Sequence, residues 1–453
     1  MALVEVPTPL ALLGGLLAMA LSAHYMTARS KTGVLGKMAA LVNMLCFLNA
    51  SLGVNVVMAL TYLFVRPFSA ATVRRLNSNF AEAMWADAVS AIMPPSKVVV
   101  TGEMPDDDTQ AIVIANHQVD CDWWFLFELM RPLRRHGALK IILKDDQKHI
   151  PVTGWGMRGF GFVFLKRDWV KDRANLEKQL GVFTGDGFPL RLLIFPEGTT
   201  INGRSMEKCT AFAKKEQRPR FEHLLLPRTT GFGACLNAFR RTESPGGRGG
   251  GGGGGARRGG DGGGEGAARG AGAAGHSSRV VYDITMGYTG YSGEIPSWEM
   301  GYTRDRDVDV PNLGALLKGR APGPVHLHVE KHCVDDIAGD GKTWLDATWA
   351  RKDALLRRFV EDGRFPHQPV AVFESRKSPM AFLLLSATPI VAGLLLYHGI
   401  TDALAMFAAG AAAAAAAGGD AGGIVAGVAK GAAASGATSE EEEVEEEEEE
   451  RRR

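Results

Sequence analysis

The residues most able to do chemistry sit in "IVIANHQVDCDWW" (112–124), where His117 and Asp122 stand in the order H-x4-D with Asp120 between them. A carboxylate that accepts a hydrogen bond from one imidazole nitrogen fixes the tautomer and raises the basicity of the ring. The other nitrogen is then left to take a proton from a substrate hydroxyl. Asp120 is a rival carboxylate whose spacing points it elsewhere, and a lone His near two Asp also describes an ordinary surface loop. A second group is Lys166-Arg167 in "GFVFLKRDW". A guanidinium presents a planar fork to phosphate oxygens, although Arg167 has a salt-bridge alternative in Asp168. In "FPEGTT" (195–200), Pro196 and Gly198 shape a tight turn that aims backbone N–H groups and the Thr199 hydroxyl at an anion. Glu197 would then hold Arg167 or a backbone amide in place. Pro227 in "LLLPRTTG" serves either the shape of the site or turn geometry alone. Cys121 reads as a packing residue rather than a nucleophile. The string "GWGMRG" (154–159) satisfies the dinucleotide-binding glycine pattern, but it precedes an apolar run instead of following a strand and opening a helix, so no nucleotide cofactor is inferred from it.

Each of these groups closes a short apolar run. "VVVTGEM", "AIVIANH", "ALKIILKDD", "GFVFLKR", "LRLLIFPEG" and "HLLLPRT" read as strands, and between them "CDWWFLFELMRPLRRHG", "WVKDRANLEKQLGVFTGDG" and "GFGACLNAFRRT" read as helices. Such alternation predicts an α/β domain, residues 97–335, with a mostly parallel sheet covered by helices. Asn116 and His117 end a buried-strand pattern, and the C-terminal edge of such a sheet is where ligand sites form. The glycine-rich insert 243–278 is expected to be a flexible loop, because glycine at that density cannot offset its own ordering entropy. "RVVYDITMGY" and "GPVHLHVEKH" resume the strands, and an amphipathic helical region occupies 336–378.

Hydrophobic blocks flank this domain. Residues 8–25 and 38–65 are uncharged and long enough to suggest membrane helices within 1–66, followed by an amphipathic linking helix at 67–96. Residues 379–418 hold the C-terminal membrane helices, and an acidic tail, expected to be disordered, fills 419–453. Arg29, Lys31 and Lys37 precede the second block and Arg66, Arg74 and Arg75 follow it, which the positive-inside rule places on one side of a membrane. One block would therefore lie in a single leaflet or dip and return. Net charge is +1, so no global field selects a partner, and the glycine–arginine insert lacks the aromatics of a nucleic-acid binder. Five cysteines without a C-x-x-C pair suggest neither a disulfide framework nor a zinc site.

Taken together and in this order, "NHQVDCDWW", "GFVFLKR", "FPEGTT" and "LLLPRTTGF" resemble the four motifs of the 1-acylglycerol-3-phosphate acyltransferase family. "FVRPFSAATVRRLN", "KDDQKHIPVTGWGM" and "ARKDALLRRF" are similar to its eukaryotic endoplasmic-reticulum branch, and the resemblance spans about residues 45–400. It implies His117 as general base and Asp122 as its orienting carboxylate. Asn116, Lys166, Arg167, Glu197, Gly198, Thr199 and Pro227 would bind substrate, Arg167 by gripping the acceptor phosphate. The implied donor is acyl-CoA, with no metal or other cofactor. The implied acceptor is lysophosphatidic acid at its sn-2 hydroxyl, and the implied setting is the endoplasmic-reticulum membrane with the catalytic domain facing the cytosol. Membrane lipids are expected as partners and nucleic acid is not. Two alternatives stay open: another lysophospholipid acceptor, such as lysophosphatidylinositol or lysocardiolipin, and a lipid-binding membrane protein that keeps the fold without turnover. Oligomeric state is not set by the sequence.

Overall fold

The computed structural model describes residue 15 and residues 33–106, 110–166, 168–185, 188–241, 279–296 and 310–416. Nearly all of the 8–25 block, Arg167, the glycine-rich insert and the acidic tail lie outside the described residues. The chain divides into two units, Met1–Pro389 and Ile390–Arg453. Among the described residues the second unit is helical.

Among the described residues the α-helices are α1 (Gly33–Phe64), α2 (Ala70–Leu76), α3 (Ala83–Ile92), α4 (Asp122–Met130), α5 (Thr153–Gly159), α6 (Trp169–Gly185), α7 (Gly203–Lys215), α8 (Thr229–Arg241), α9 (Leu313–Leu317), α10 (Lys342–Asp362) and α11 (Pro379–Ala416). The strands are β1 (Lys97–Gly102), β2 (Ala111–Ala115), β3 (Leu139–Lys144), β4 (Val163–Leu165), β5 (Arg191–Ile194), β6 (Val280–Tyr288), β7 (Val325–Cys333) and β8 (Pro369–Glu374). They form one sheet in the order β4-β3-β5-β2-β6-β7-β1-β8. β6–β7 and β1–β8 pair antiparallel, and the other neighbours pair parallel.

Helices cover both faces, as the continuous apolar runs require. In β2 every residue is buried. Ala111, Val113 and Ala115 join a core with α1, α3 and α4, while Ile112 and Ile114 join the opposite core with α6, α8 and α10. The period of two in a strand sends alternate side chains to alternate layers. Large side chains seal the second layer: Phe232, Trp349 and Leu356 are fully buried, each contributing roughly 1.5–3 kcal/mol of transfer free energy.

Two elements differ from the sequence reading. "HLLLPRT" is not a strand: it begins in a bend and runs into α8, and the N–H groups at its centre go to side chains. Leu225 N–H donates to Glu197 Oε2 at 3.1 Å and Leu226 N–H to Cys209 Sγ at 2.9 Å. The region 336–378 is not wholly helical, since β8 adds an antiparallel edge strand to β1 and α10 packs beneath the sheet. The hydrophobic flanks also take simpler forms. α1 is one helix of 32 residues, and α11 runs unbroken through Pro389 where two successive segments were expected.

Candidate active site

β2 ends at Ala115, and the turn 116–121 delivers His117 to the mouth of a cleft of about 1090 Å³. Asn116 pins that strand end. Its amide Nδ2–H donates to Met286 O at 3.1 Å and its Oδ1 accepts from Met286 N–H at 2.8 Å, locking β2 to β6. Asn116 is buried and bonded to Met286 through both its amide nitrogen and oxygen, so it positions the turn.

His117 Nδ1 lies 2.9 Å from Asp122 Oδ2. An ionised carboxylate only accepts, so Nδ1 carries the proton and Nε2 is the basic nitrogen. The imidazole side chain is 20% exposed and Asp122 is wholly buried, which leaves Nε2 as the ring's face toward the cleft. Asp122 opens α4, and the same Oδ2 accepts from the N–H groups of Gln118 at 2.7 Å and Val119 at 3.1 Å. Its other oxygen accepts from the Tyr288 hydroxyl, at the far end of β6. The His117 ring also stacks on Phe195, with centroids 4.3 Å apart.

The "FPEGTT" turn holds His117 by its backbone. Glu197 Oε1 accepts from His117 N–H at 3.1 Å, and Ile201 N–H donates to His117 O at 3.0 Å. The sequence left open whether Glu197 holds Arg167 or a backbone amide; the carboxylate holds two amides, those of His117 and Leu225. Burial pushes its pKa up to about 8 against the pull of those N–H groups. Gly198 adopts φ +73°, and a Cβ there would sit 3.0 Å from Arg228 Nε. Glycine therefore serves both the left-handed turn and the passage of the Arg228 side chain. Thr199 is exposed in the cleft lining, and Pro227 is buried beside it. Arg228 N–H donates to Pro196 O at 2.8 Å, tying the third and fourth motifs together.

The remaining candidates are placed differently. Asp120 Oδ1 accepts from Leu313 N–H at 2.9 Å, at the start of α9, so its carboxylate serves a loop contact rather than the imidazole. Cys121 is fully buried, and burial raises its thiol well above the ordinary value, which suits packing. Lys166 is exposed and is not part of the cleft lining, and Arg167 lies outside the described residues. Asp172 Oδ1 accepts from Lys166 N–H at 2.8 Å and its Oδ2 from Asp168 N–H at 3.1 Å, so the chain on either side of Arg167 is fixed to the first turn of α6.

The structure adds residues that the sequence reading missed. Lys208 and Arg228 bring cationic side chains to the cleft. Arg218 lines it too but is engaged by Asp346 and by Pro227 O at 2.9 Å. The same cleft is lined by the apolar Ile141, Leu143, Leu165, Ile194 and Phe212. The lining thus offers cations to anionic groups and apolar side chains to a hydrocarbon chain. Arg228 follows Pro227 within "LLLPRTTG", so the fourth motif carried it unrecognised, whereas Lys208 had no local signal and Tyr288 lies too far along the chain from Asp122 for spacing to reveal. Outside the cleft, Asp283, Glu330 and His332 have ligand atoms within 4.8 Å of one another. Lys352 Nζ already lies 2.5 Å from Asp283 and Arg351 lies 3.7 Å from Glu330, so protein cations neutralise that group.

Residues 97–237 match the family model described as acyltransferase, and residues 315–386 match the acyltransferase C-terminus model. The chain is 26% identical to 1-acyl-sn-glycerol-3-phosphate acyltransferase 2 of Brassica napus over 71% of this chain and 72% of that one. The chain is thus similar to the 1-acylglycerol-3-phosphate acyltransferases. It is also 28% identical to lysocardiolipin acyltransferase 1 of Gallus gallus, over 59% of either chain. The chain thus spans about three fifths of the length of that relative. The crystal structure of the 1-acyl-sn-glycerophosphate (LPA) acyltransferase PlsC from Thermotoga maritima shares 16% identity, covering 72% of this chain and 97% of that one with a TM-score of 0.33.

Proposed function

We propose that this acyltransferase moves a fatty acyl group from acyl-CoA to the free sn-2 hydroxyl of lysophosphatidic acid, giving phosphatidic acid, at the cytosolic face of the endoplasmic-reticulum membrane. The observation that carries this reading is the His117–Asp122 pair at 2.9 Å, with Nε2 left as base at a cleft lined by both cationic and apolar side chains. Nε2 takes the proton of the acceptor hydroxyl while its oxygen bonds to the thioester carbonyl carbon. The resulting imidazolium is stabilised by buried Asp122. The C–S bond then breaks, and the departing thiolate recovers the proton from His117. No acyl-enzyme forms on Cys121, whose thiol is buried and protonated. Arg228 and Lys208 of the cleft lining supply positive charge for the phosphates of donor and acceptor, and Arg167 is the residue that the family resemblance assigns to the acceptor phosphate.

A second reading, acylation of a larger lysophospholipid such as lysocardiolipin or lysophosphatidylinositol, is favoured by the lysocardiolipin acyltransferases among the relatives. Membranes carrying the wild type or His117→Ala, assayed with acyl-CoA and a panel of these acceptors, separate the cases. Loss of the general base should lower turnover by about 10²–10⁴-fold. Equal activity in both membranes would refute the mechanism. A strong preference for another acceptor would move the substrate while leaving the reaction class intact.

A further inference from the structure

Phe195 opens the "FPEGTT" turn and lines the cleft, and its ring lies against the imidazole of His117 with centroids 4.3 Å apart and planes 22° from parallel. We infer that Phe195 is a positioning residue for the general base, a role that rests on the proposed acyl transfer. Its ring face fixes the plane of the imidazole and favours the imidazolium that forms when Nε2 takes the acceptor's proton.

The contact follows from the sheet. β2 and β5 pair in parallel with Ile114 opposite Ile194, and neighbouring strands lie about 4.8 Å apart. The chain therefore leaves the two strand ends side by side. Alternation sends Phe195 to the layer of Val113 and Ala115, the one shared with α1, α3 and α4. The same turn clamps the His117 backbone, since Glu197 Oε1 accepts from its N–H at 3.1 Å and Ile201 N–H donates to its carbonyl at 3.0 Å. Gly198 N–H donates to Phe195 O at 2.9 Å and closes the turn. One short segment thus holds both the backbone and the ring of the base.

Asp122 and Phe195 act on different coordinates of the imidazole. The bond from Nδ1 to Asp122 Oδ2, 2.9 Å long, decides which nitrogen carries the proton. A single hydrogen bond still lets the ring turn about that axis, and a stacked face removes the freedom. The face of an aromatic ring is negative and attracts a cation within about 6 Å of its centroid. Neutral imidazole gains only packing from this contact, whereas the imidazolium gains the electrostatic attraction as well. The stabilisation is therefore larger for the species formed along the reaction than for the resting one. The proton balance is unaltered: the acceptor hydroxyl gives its proton to Nε2, and the departing thiolate takes it back.

The ionisable groups around His117 are Asp120 in its own turn, Asp122 at the start of α4 with Tyr288 behind it, and Glu197 at its N–H. Lys144, Asp172, Lys208, Arg218 and Arg228 share the cleft. Fluorination of the Phe195 ring leaves all of these in place, drains the negative face and changes its shape little.

Full chains in membranes, carrying singly or triply fluorinated phenylalanine in place of Phe195, or Phe195→Leu, are assayed across the range in which imidazole titrates. The substrates are acyl-CoA and whichever lysophospholipid of the panel the wild type acylates fastest. Plateau kcat should fall stepwise, by about two- to fivefold in the triply fluorinated chain, and the acid limb of kcat/KM should move about half a unit toward lower pH. Phe195→Leu should lie at the far end of the series, with KM for acyl-CoA little changed throughout. A readout without turnover is the pH midpoint for carbethoxylation of His117 by diethyl pyrocarbonate, followed by peptide mass spectrometry, which should fall in the same order. Identical limbs and midpoints across the series would overturn the inference. So would a loss confined to KM for acyl-CoA, which would leave Phe195 as lining for the hydrocarbon chain. Equal turnover by His117→Ala and the wild type would instead sink the mechanism on which the inference rests, whatever the midpoints show.

Discussion

His117 is held at three points: its ring by Asp122, its N–H by Glu197 and its carbonyl by Ile201. Tyr288 extends the array by donating to Asp122 Oδ1 from inside the core. Tyr288→Phe keeps the packing against Phe125 and removes that bond. A hydrogen bond to a charged group is worth about 1.5–3 kcal/mol, so kcat should fall by roughly ten- to a hundredfold with KM for the donor little changed. Steady-state kinetics in membranes decide it, and an unaltered kcat would remove Tyr288 from the site. Glu197 gives a pH signature. With its pKa raised from 4.5 to about 8, the folded chain holds a proton that the unfolded chain has released, so stability falls as pH rises through that window. Subtracting the unfolding curves of Glu197→Gln from those of the wild type between pH 5 and pH 8 should expose this slope; parallel curves would show that the carboxyl ionises without penalty.

β2, β5 and β6 act as a unit, because each passes a residue to the turn beside it: His117 after β2, Glu197 after β5 and Tyr288 at the end of β6. α10 braces this unit through Lys352, whose ammonium sits 2.5 Å from Asp283 and 2.5 Å from Ile284 O, all buried. Lys352→Met leaves an unpaired buried carboxylate and should cost about 3–5 kcal/mol, seen as a lowered unfolding midpoint. Adding Asp283→Asn should recover much of it; no recovery would mean that Lys352 acts through packing alone. The "GWGMRG" glycines show how a motif misleads when its element is ignored. They lie within α5, where small residues let α1 pass close.

The whole chain places its insert between α8 and β6, and the Arg279 guanidinium at the start of β6 bonds to Phe239 O on α8. The flanks of the insert are therefore neighbours, and removing residues 245–275 should leave acyl transfer in membranes largely intact. Loss of activity in a chain with unchanged unfolding behaviour would assign the insert a part in the reaction. The long apolar flanks behave less uniformly than their hydropathy suggests. Much of α1 belongs to the core, and the first turns of α11 bury Phe382, Leu385 and Ser386 before its exposed apolar run begins.

The sequence by itself determined the alternating strands and helices, the H-x4-D spacing and the four-motif order, because each depends on neighbours a few residues apart. It also put His117 at a strand end, where periodicity gives way to polar residues. Only the tertiary structure decided what Glu197 and Asn116 hold, that "HLLLPRT" lends its N–H groups to side chains instead of a ladder, and that Tyr288 reaches Asp122 across 166 positions. The sheet order brings those groups together, and the pairing of distant strands leaves no local trace in composition or spacing. The two faces of α1 were equally hidden: both are apolar, and burial against the domain, not hydropathy, separates the stripe that is core from the stripe that is surface.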